Sequence, residues 1–164
     1  MYPLWYVLYT KSRHEKFVES RLLEKGITAF TPTITLKKKW SDRIKSIEEP
    51  LFKSYCFARF SLSERRKIIS QKGVVKIVNF NGQYPPVQDF VIDSLKILIA
   101  NELKIDPCPY LRIGERVVIK KGPLKGFTGF IVEKRRKNTE LVISVDAIAM
   151  SVKCVVDVDY VELA

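Results

Sequence analysis

A single histidine, three cysteines and seven glycines are all that a chain of 164 residues contains of these types. Each scarcity excludes something. Cys56, Cys108 and Cys154 are odd in number, widely spaced and form no C-x-x-C, so neither a disulfide framework nor a zinc site is expected. Cys56 and Cys154 sit in apolar, β-like runs and read as small buried residues. His14, the lone histidine, has no nucleophile–base partner in sequence and reads as a surface residue. Asp42, Asp89 and Asp93 are scattered and form no metal-binding cluster, and no glycine-rich phosphate loop is present. Catalysis therefore has no support, and no cofactor or metal is expected. No apolar run approaches the ~18 residues of a membrane span. Residues 1–10 lack a charged n-region and a long h-region, so no signal peptide is expected and a reduced cytoplasm fits. Repeats and low-complexity tracts are also missing.

Acidic residues are in deficit: 18 Asp+Glu stand against 29 Lys+Arg, a net charge of +11. A balance of this size favours a polyanionic partner, with a merely solubilising basic surface as the plainer alternative. The charge is uneven. Residues 1–104 carry 19 basic against 10 acidic residues, and residues 105–164 carry 10 against 8.

The hydrophobic pattern predicts a strand over 4–10 (LWYVLYT). Ser12 and Glu15 have the spacing of a capping box for a helix over about 13–25, with Phe17, Val18 and Leu22 as its apolar stripe and Gly26 as its stop. Residues 27–40 read as an extended segment broken at Pro32. A basic hairpin tip follows, with Lys37, Lys38, Lys39, Arg43 and Lys45, which either tracks a phosphate backbone or is a solvated tip. Residues 50–60 form an aromatic strand and 63–71 a short helix. Residues 74–80 form a further strand before an Asn81-Gly82 turn, and 86–101 a helix with Phe90, Leu95, Leu98 and Ile99 facing the core. Pro107 and Pro109 mark 105–111 as a linker. Beyond it, 117–120, 127–134, 141–145, 150–156 and 160–163 read as five short strands. The expected fold is α+β: an N-terminal α/β sandwich of antiparallel sheet and flanking helices over 1–104, then a small five-stranded SH3-like β-barrel over 112–164.

Two segments carry a resemblance. Residues 113–133, I-G-E-R-V-V-I-K-K-G-P-L-K-G-F-T-G-F-I-V-E, resemble a KOW motif. In it Gly126 and Gly129 supply positive φ or close backbone approach. In the first part, Trp5-Tyr6-Val7-Leu8-Tyr9 before a helix, Pro32, Trp40-Ser41-Asp42-Arg43, the run from Glu49 to Phe57 (E-P-L-F-K-S-Y-C-F) and Gly73-Val74 occur in the order of the NusG N-terminal domain. The chain thus resembles the NusG family of transcription elongation factors over nearly its whole length. The T-x-T-L-K-K and E-P-L-F runs are similar to the RfaH type, and W-S-D-R and P-L-F-K-S-Y to the UpxY type. Together with the LoaP type these are specialised paralogues within that family.

The resemblance implies a mechanism that works by binding: docking on the clamp helices of RNA polymerase through an aromatic depression, which suppresses pausing or termination. The matching positions are Tyr9, Tyr55, Phe57 and Phe80. Strand alternation puts Tyr55 and Phe57 on one face and Cys56 on the other, and one of those faces must be core. A second polymerase contact maps to the start of the second helix, at Glu64, Arg65 and Arg66, although the residue types there differ from the RfaH motif. Lys11, Arg21, Gln71 and Lys72 match positions that touch non-template DNA. Glu24 stands where RfaH is basic, so a different recognition sequence is implied. Lys and Arg would hold phosphates there, and Arg or Gln could read base edges. Nascent RNA is the alternative polyanion. The KOW domain implies recruitment of Rho, a ribosomal small-subunit protein or RNA, through Lys120, Lys121, Lys125, Arg135 and Arg136. Its β-branched runs favour strands, so a barrel is expected in place of a refolded helical hairpin. A monomer with no membrane partner is expected. The competing reading is a KOW-type RNA-binding or ribosome-associated protein acting in translation; a nuclease is the third.

Overall fold

The computed structural model describes residues 1–101, 106–109, 114–134 and 138–163. The chain divides into two compact units, Met1–Pro86 and Val87–Ala164.

The first unit is built on a four-stranded antiparallel sheet. Its strands are β1 (Leu4–Thr10), β2 (Thr28–Phe30), β5 (Tyr55–Phe60) and β6 (Val74–Ile77), in the order β2-β5-β1-β6. Helices α1 (Glu15–Glu24) and α2 (Arg65–Ile69) contribute Val18, Leu22 and Ile68 to a core shared with Tyr6, Leu8, Cys56, Ala58, Phe60 and Ile77. Burying such side chains is worth roughly 1.5–3 kcal/mol each before the entropy of ordering them is subtracted. Between β2 and β5 the chain forms a ribbon, β3 (Thr33–Lys39) and β4 (Ile44–Pro50), whose strands pair only with each other.

The start of α1 departs from expectation. Arg13 takes φ 62°, and His14 becomes the residue before the helix. That left-handed step separates Ser12 from Glu15, so no capping box closes. The Glu15 carboxylate is buried instead and accepts the Ser54 amide at 2.6 Å, across to the turn that opens β5. A capping box does appear at the 3-10 turn Leu62–Glu64 that leads into α2, where the Ser61 amide donates to Glu64 Oε2 at 3.3 Å. Phe17, expected in the apolar stripe of α1, is exposed, while Val18 and Leu22 are buried.

The second unit holds α3 (Asp89–Ala100) and six antiparallel strands: β7 (Asp106–Pro109), β8 (Arg116–Ile119), β9 (Thr128–Lys134), β10 (Asn138–Val145), β11 (Met150–Asp157) and β12 (Val161–Leu163). Their order is β12-β8-β9-β10-β11-β7. All five expected strands are present. The sixth, β7, comes from the segment expected to be a linker. It lies at the sheet edge, pairing Pro109 with Met150 and Pro107 with Val152. An edge tolerates proline because one side of the strand has no ladder partner. Gly126 takes φ 92°, and a Cβ on Gly129 would stand 2.8 Å from the Val142 carbonyl, so both glycines serve the architecture.

Helix α3 packs on β9 and β10, whereas the sequence placed residues 86–101 in the N-terminal domain. The buried Ser94 hydroxyl donates to the Thr128 carbonyl at 3.1 Å and accepts the Thr128 amide at 2.9 Å. The Arg116 guanidinium lies 4.4 Å from the Phe90 ring centroid. This helix explains why Leu141 to Val145 are buried on both faces of β10: the six-stranded sheet has a helical cover on one side. On this observed division, residues 1–86 carry 17 basic against 7 acidic side chains, so nearly all the net positive charge belongs to the first unit.

Candidate functional site

Strands β1 and β5 pair Tyr9 with Tyr55, Val7 with Phe57 and Trp5 with Arg59. Directly paired residues share a face, and this is the face opposite the one covered by α1. Along it, burial changes from end to end. Trp5, Val7 and Phe57 are buried, while Tyr9 is 37% exposed and Tyr55 half-buried. The two tyrosine rings meet at 5.7 Å, and Lys76 of β6, opposite Tyr9 in register, places its ammonium 6.0 Å from the Tyr9 ring. The result is an accessible aromatic pair with a cation at its edge. Such rings offer large contact area at small entropic cost.

Phe57 is fully buried at 0% exposure, with its ring 6.1 Å from Phe52 and 6.4 Å from Phe30. Direct contact by Phe57 is therefore corrected to packing. Alternation identified the Cys56 side as core, but both faces of the central strands are buried. Cys56 is core as expected, and burial pushes its thiol up to about 12. Phe80 is 58% exposed and bridges to Gln83 across the Asn81-Gly82 turn, separate from the tyrosine pair in register. Arg65 and Arg66 are exposed at the start of α2.

The positions expected to touch DNA divide in two. Lys11 and Lys72 are exposed, and the chain brings them together where the Lys11 amide donates to the Gly73 carbonyl at 2.9 Å. Arg21 is exposed on α1, its guanidinium 5.5 Å from the Phe17 ring and 3.4 Å from Glu24. Gln71 is buried, and its side-chain amide donates to the Lys67 carbonyl at 2.7 Å. Base reading by Gln71 is corrected to closure of the α2 C-terminus. His14 edges against Phe17 at 5.9 Å, so the outer side of α1 presents His14, Phe17 and Arg21 as one stripe.

In the second unit, Lys120, Lys121 and Lys125 are exposed around the β8–β9 turn. Arg135 and Arg136 lie outside the described residues. Beside that turn is an apolar hollow of about 160 Å³ lined by Ile119, Leu124, Val155 and Tyr160. Sequence reasoning missed the hollow and Lys76, because both depend on pairing between strands distant in the chain. The cross-strand register was the only signal for Lys76. Among the described residues no group of three or more His, Cys, Asp or Glu could hold a metal ion. No helix among them is long and apolar enough to cross a membrane.

The class these features define is a two-unit α+β protein: a basic α+β domain with an accessible aromatic pair, followed by an antiparallel β unit with a basic turn. Residues 3–96 match the family model described as "Transcription termination factor nusG". The chain belongs to the NusG family, a family of transcription termination factors. It is similar to the transcription termination/antitermination protein NusG of Borreliella burgdorferi, 26% identical over 96% of this chain and 97% of that protein. It is also similar to the protein of that name from Lactococcus lactis, 22% identical over 96% and 91%. Among solved structures, one titled "Domain interaction in Thermotoga maritima NusG" matches 98% of this chain and 97% of its own, with TM-score 0.47 and 22% identity. An MjSpt4:Spt5 complex matches with TM-score 0.36 and 15% identity.

Proposed function

We propose that this protein binds transcribing RNA polymerase and changes its pausing or termination. In this reading the Tyr9–Tyr55 pair and Lys76 dock on the clamp helices, with Arg65, Arg66 and Phe80 as outlying contacts. Lys11, Lys72 and Arg21 hold the exposed non-template DNA strand through its phosphates. The basic turn of the second unit, at Lys120, Lys121 and Lys125, recruits a further factor, with Rho and a ribosomal small-subunit protein as the family's candidates. The specialised-paralogue assignment, the cytoplasmic location and the non-enzymatic mode are parts of the same reading, which keeps a two-part chain but with the division at residue 86 in place of the expected 104. The observation that carries it is the accessible tyrosine pair at the open end of the sheet, inside a unit that holds nearly all the net positive charge.

The test is single-round transcription by the cognate polymerase on a pausing template, with wild type and with Tyr9→Ala plus Tyr55→Ala. Phe57 is left intact because its loss would empty the core. Wild type is expected to shorten or lengthen pauses measurably. The folded double variant is expected to lose that effect, with polymerase affinity about tenfold or more weaker. A double variant that retains full activity and affinity would remove the tyrosine pair from the mechanism. Sedimentation with ribosomal subunits and no polymerase binding would favour the translational reading.

A further inference from the structure

The β3–β4 ribbon is the one pair of strands in the first unit that joins no larger sheet. A two-stranded ribbon in water is marginal on its own, and this one is polarised along its length. At its base the carboxylates are occupied. Glu48 accepts the Thr33 hydroxyl at 2.7 Å and meets Lys16 of α1 at 3.2 Å, while Glu49 pairs with Lys38. Those bonds hold both carboxyls below their ordinary range, and of them only the Glu48–Lys16 pair reaches outside the ribbon.

Toward the tip the chain carries Lys37, Lys38, Lys39, Arg43 and Lys45 against Asp42 alone. Lys38 stands directly opposite Lys45 in the ladder. Glu49 offsets Lys38, so the cations the ribbon presents toward its tip are Lys37, Lys39 and Arg43, all exposed. The Trp40 amide donates to the Arg43 carbonyl at 2.7 Å, closing a tight turn with Trp40 at its corner. Trp40 is 48% exposed, and the Lys45 ammonium sits 5.3 Å from its ring. The indole stands at the far end of the ribbon, outside the core of the first unit, with Lys45 beside it and about half of its surface open.

We propose that this ribbon is a finger for single-stranded nucleic acid, in which Trp40 stacks on an unpaired base while Lys37, Lys39 and Arg43 hold the flanking phosphates. An unpaired base offers a π-face of the kind an exposed indole can cover, and stacking of this sort tolerates any sequence. A duplex hides its base faces, so it could engage the lysines but would leave Trp40 unused. The partner is therefore an unpaired strand. The inference extends the proposed function to a second surface and does not depend on polymerase docking.

The experiment titrates the full chain, without polymerase, with short mixed-sequence oligonucleotides: single-stranded RNA, single-stranded DNA and the DNA duplex. Tryptophan emission is the readout. Trp5 is buried, so quenching reports mainly on Trp40. Wild type is expected to be quenched by at least one single strand, and the stronger arm identifies the sugar. Trp40→Ala, followed by anisotropy of a labelled strand, should weaken binding about tenfold, with Trp40→Phe retaining most of it. Neutralising Lys37, Lys39 and Arg43 together should reduce the log–log salt slope by about 2. Unchanged affinity in Trp40→Ala, absence of any strand binding by wild type, or duplex binding of equal strength and equal dependence on Trp40 would each overturn the proposal. The Tyr9→Ala plus Tyr55→Ala variant should bind the strand as wild type does. Loss of the pausing effect and loss of strand binding are thus read separately.

Discussion

Glu19 shows how single residues in the first unit trade stability against charge. Burial pushes its carboxyl above the ordinary range, while Lys16 and Thr31 pull it back. Its Oε2 is buried with no hydrogen-bond partner. A carboxyl raised on folding is less favourable in its ionised form when folded than when unfolded. The resulting penalty is absent below the ordinary Glu value of about 4.3 and fully present above the folded value. Glu19→Gln is therefore expected to raise the urea midpoint at pH 7 modestly, since solvent reaches part of the side chain and weakens the effect. The gain should vanish near pH 4. Equal midpoints at pH 7 would show that Lys16 and Thr31 already offset the burial. Gln71 makes the same point differently: it looked available from the sequence and is committed to a hydrogen bond that closes the end of α2.

Among the elements, α3 is joined to the β unit by a reciprocal pair of hydrogen bonds between Ser94 and Thr128, beside the Arg116 contact with Phe90. Ser94→Ala leaves the Thr128 amide buried and unpaired, at a cost of about 1–3 kcal/mol. Urea denaturation should report a loss in that range, and the Thr128 amide should exchange with deuterium faster in the variant. Unchanged exchange would mean that another acceptor replaces the serine. The β3–β4 ribbon is the opposite kind of element. Its tip was visible in the sequence as a basic run after an extended segment, whereas the return strand β4 and the register with β3 emerged only in the structure. The helix limits were also legible, to within two residues for α1, since the apolar stripe and Gly26 lie close together in sequence.

For the whole molecule, the decisive feature is where the charge resides. Neutralising Lys11 and Lys72, which the fold brings side by side, should weaken binding to single-stranded DNA at low salt. It should also reduce the slope of log affinity against log salt by roughly 0.7 for each phosphate that is no longer neutralised. The same substitutions should leave thermal stability unchanged, because both side chains are exposed. A slope equal to that of wild type would place the phosphate-binding cations elsewhere on the first unit. Charge reversal in the second unit, whose net charge is close to zero, should alter partner recruitment with little effect on that slope.

The sequence by itself determined the order and type of most elements, the two-part organisation, the excess of positive charge in the first part and the family. These depend on local periodicity, turn residues and composition, which act within a few residues of one another. The tertiary structure alone decided that Phe57 is core, that β7 emerges from a proline-bearing segment, that α3 belongs with the β unit and that Lys76 completes the tyrosine pair. Each of those outcomes depends on what covers a strand's second face or which strand lies beside it. Alternation along a chain distinguishes two faces but cannot show whether one or both will be buried.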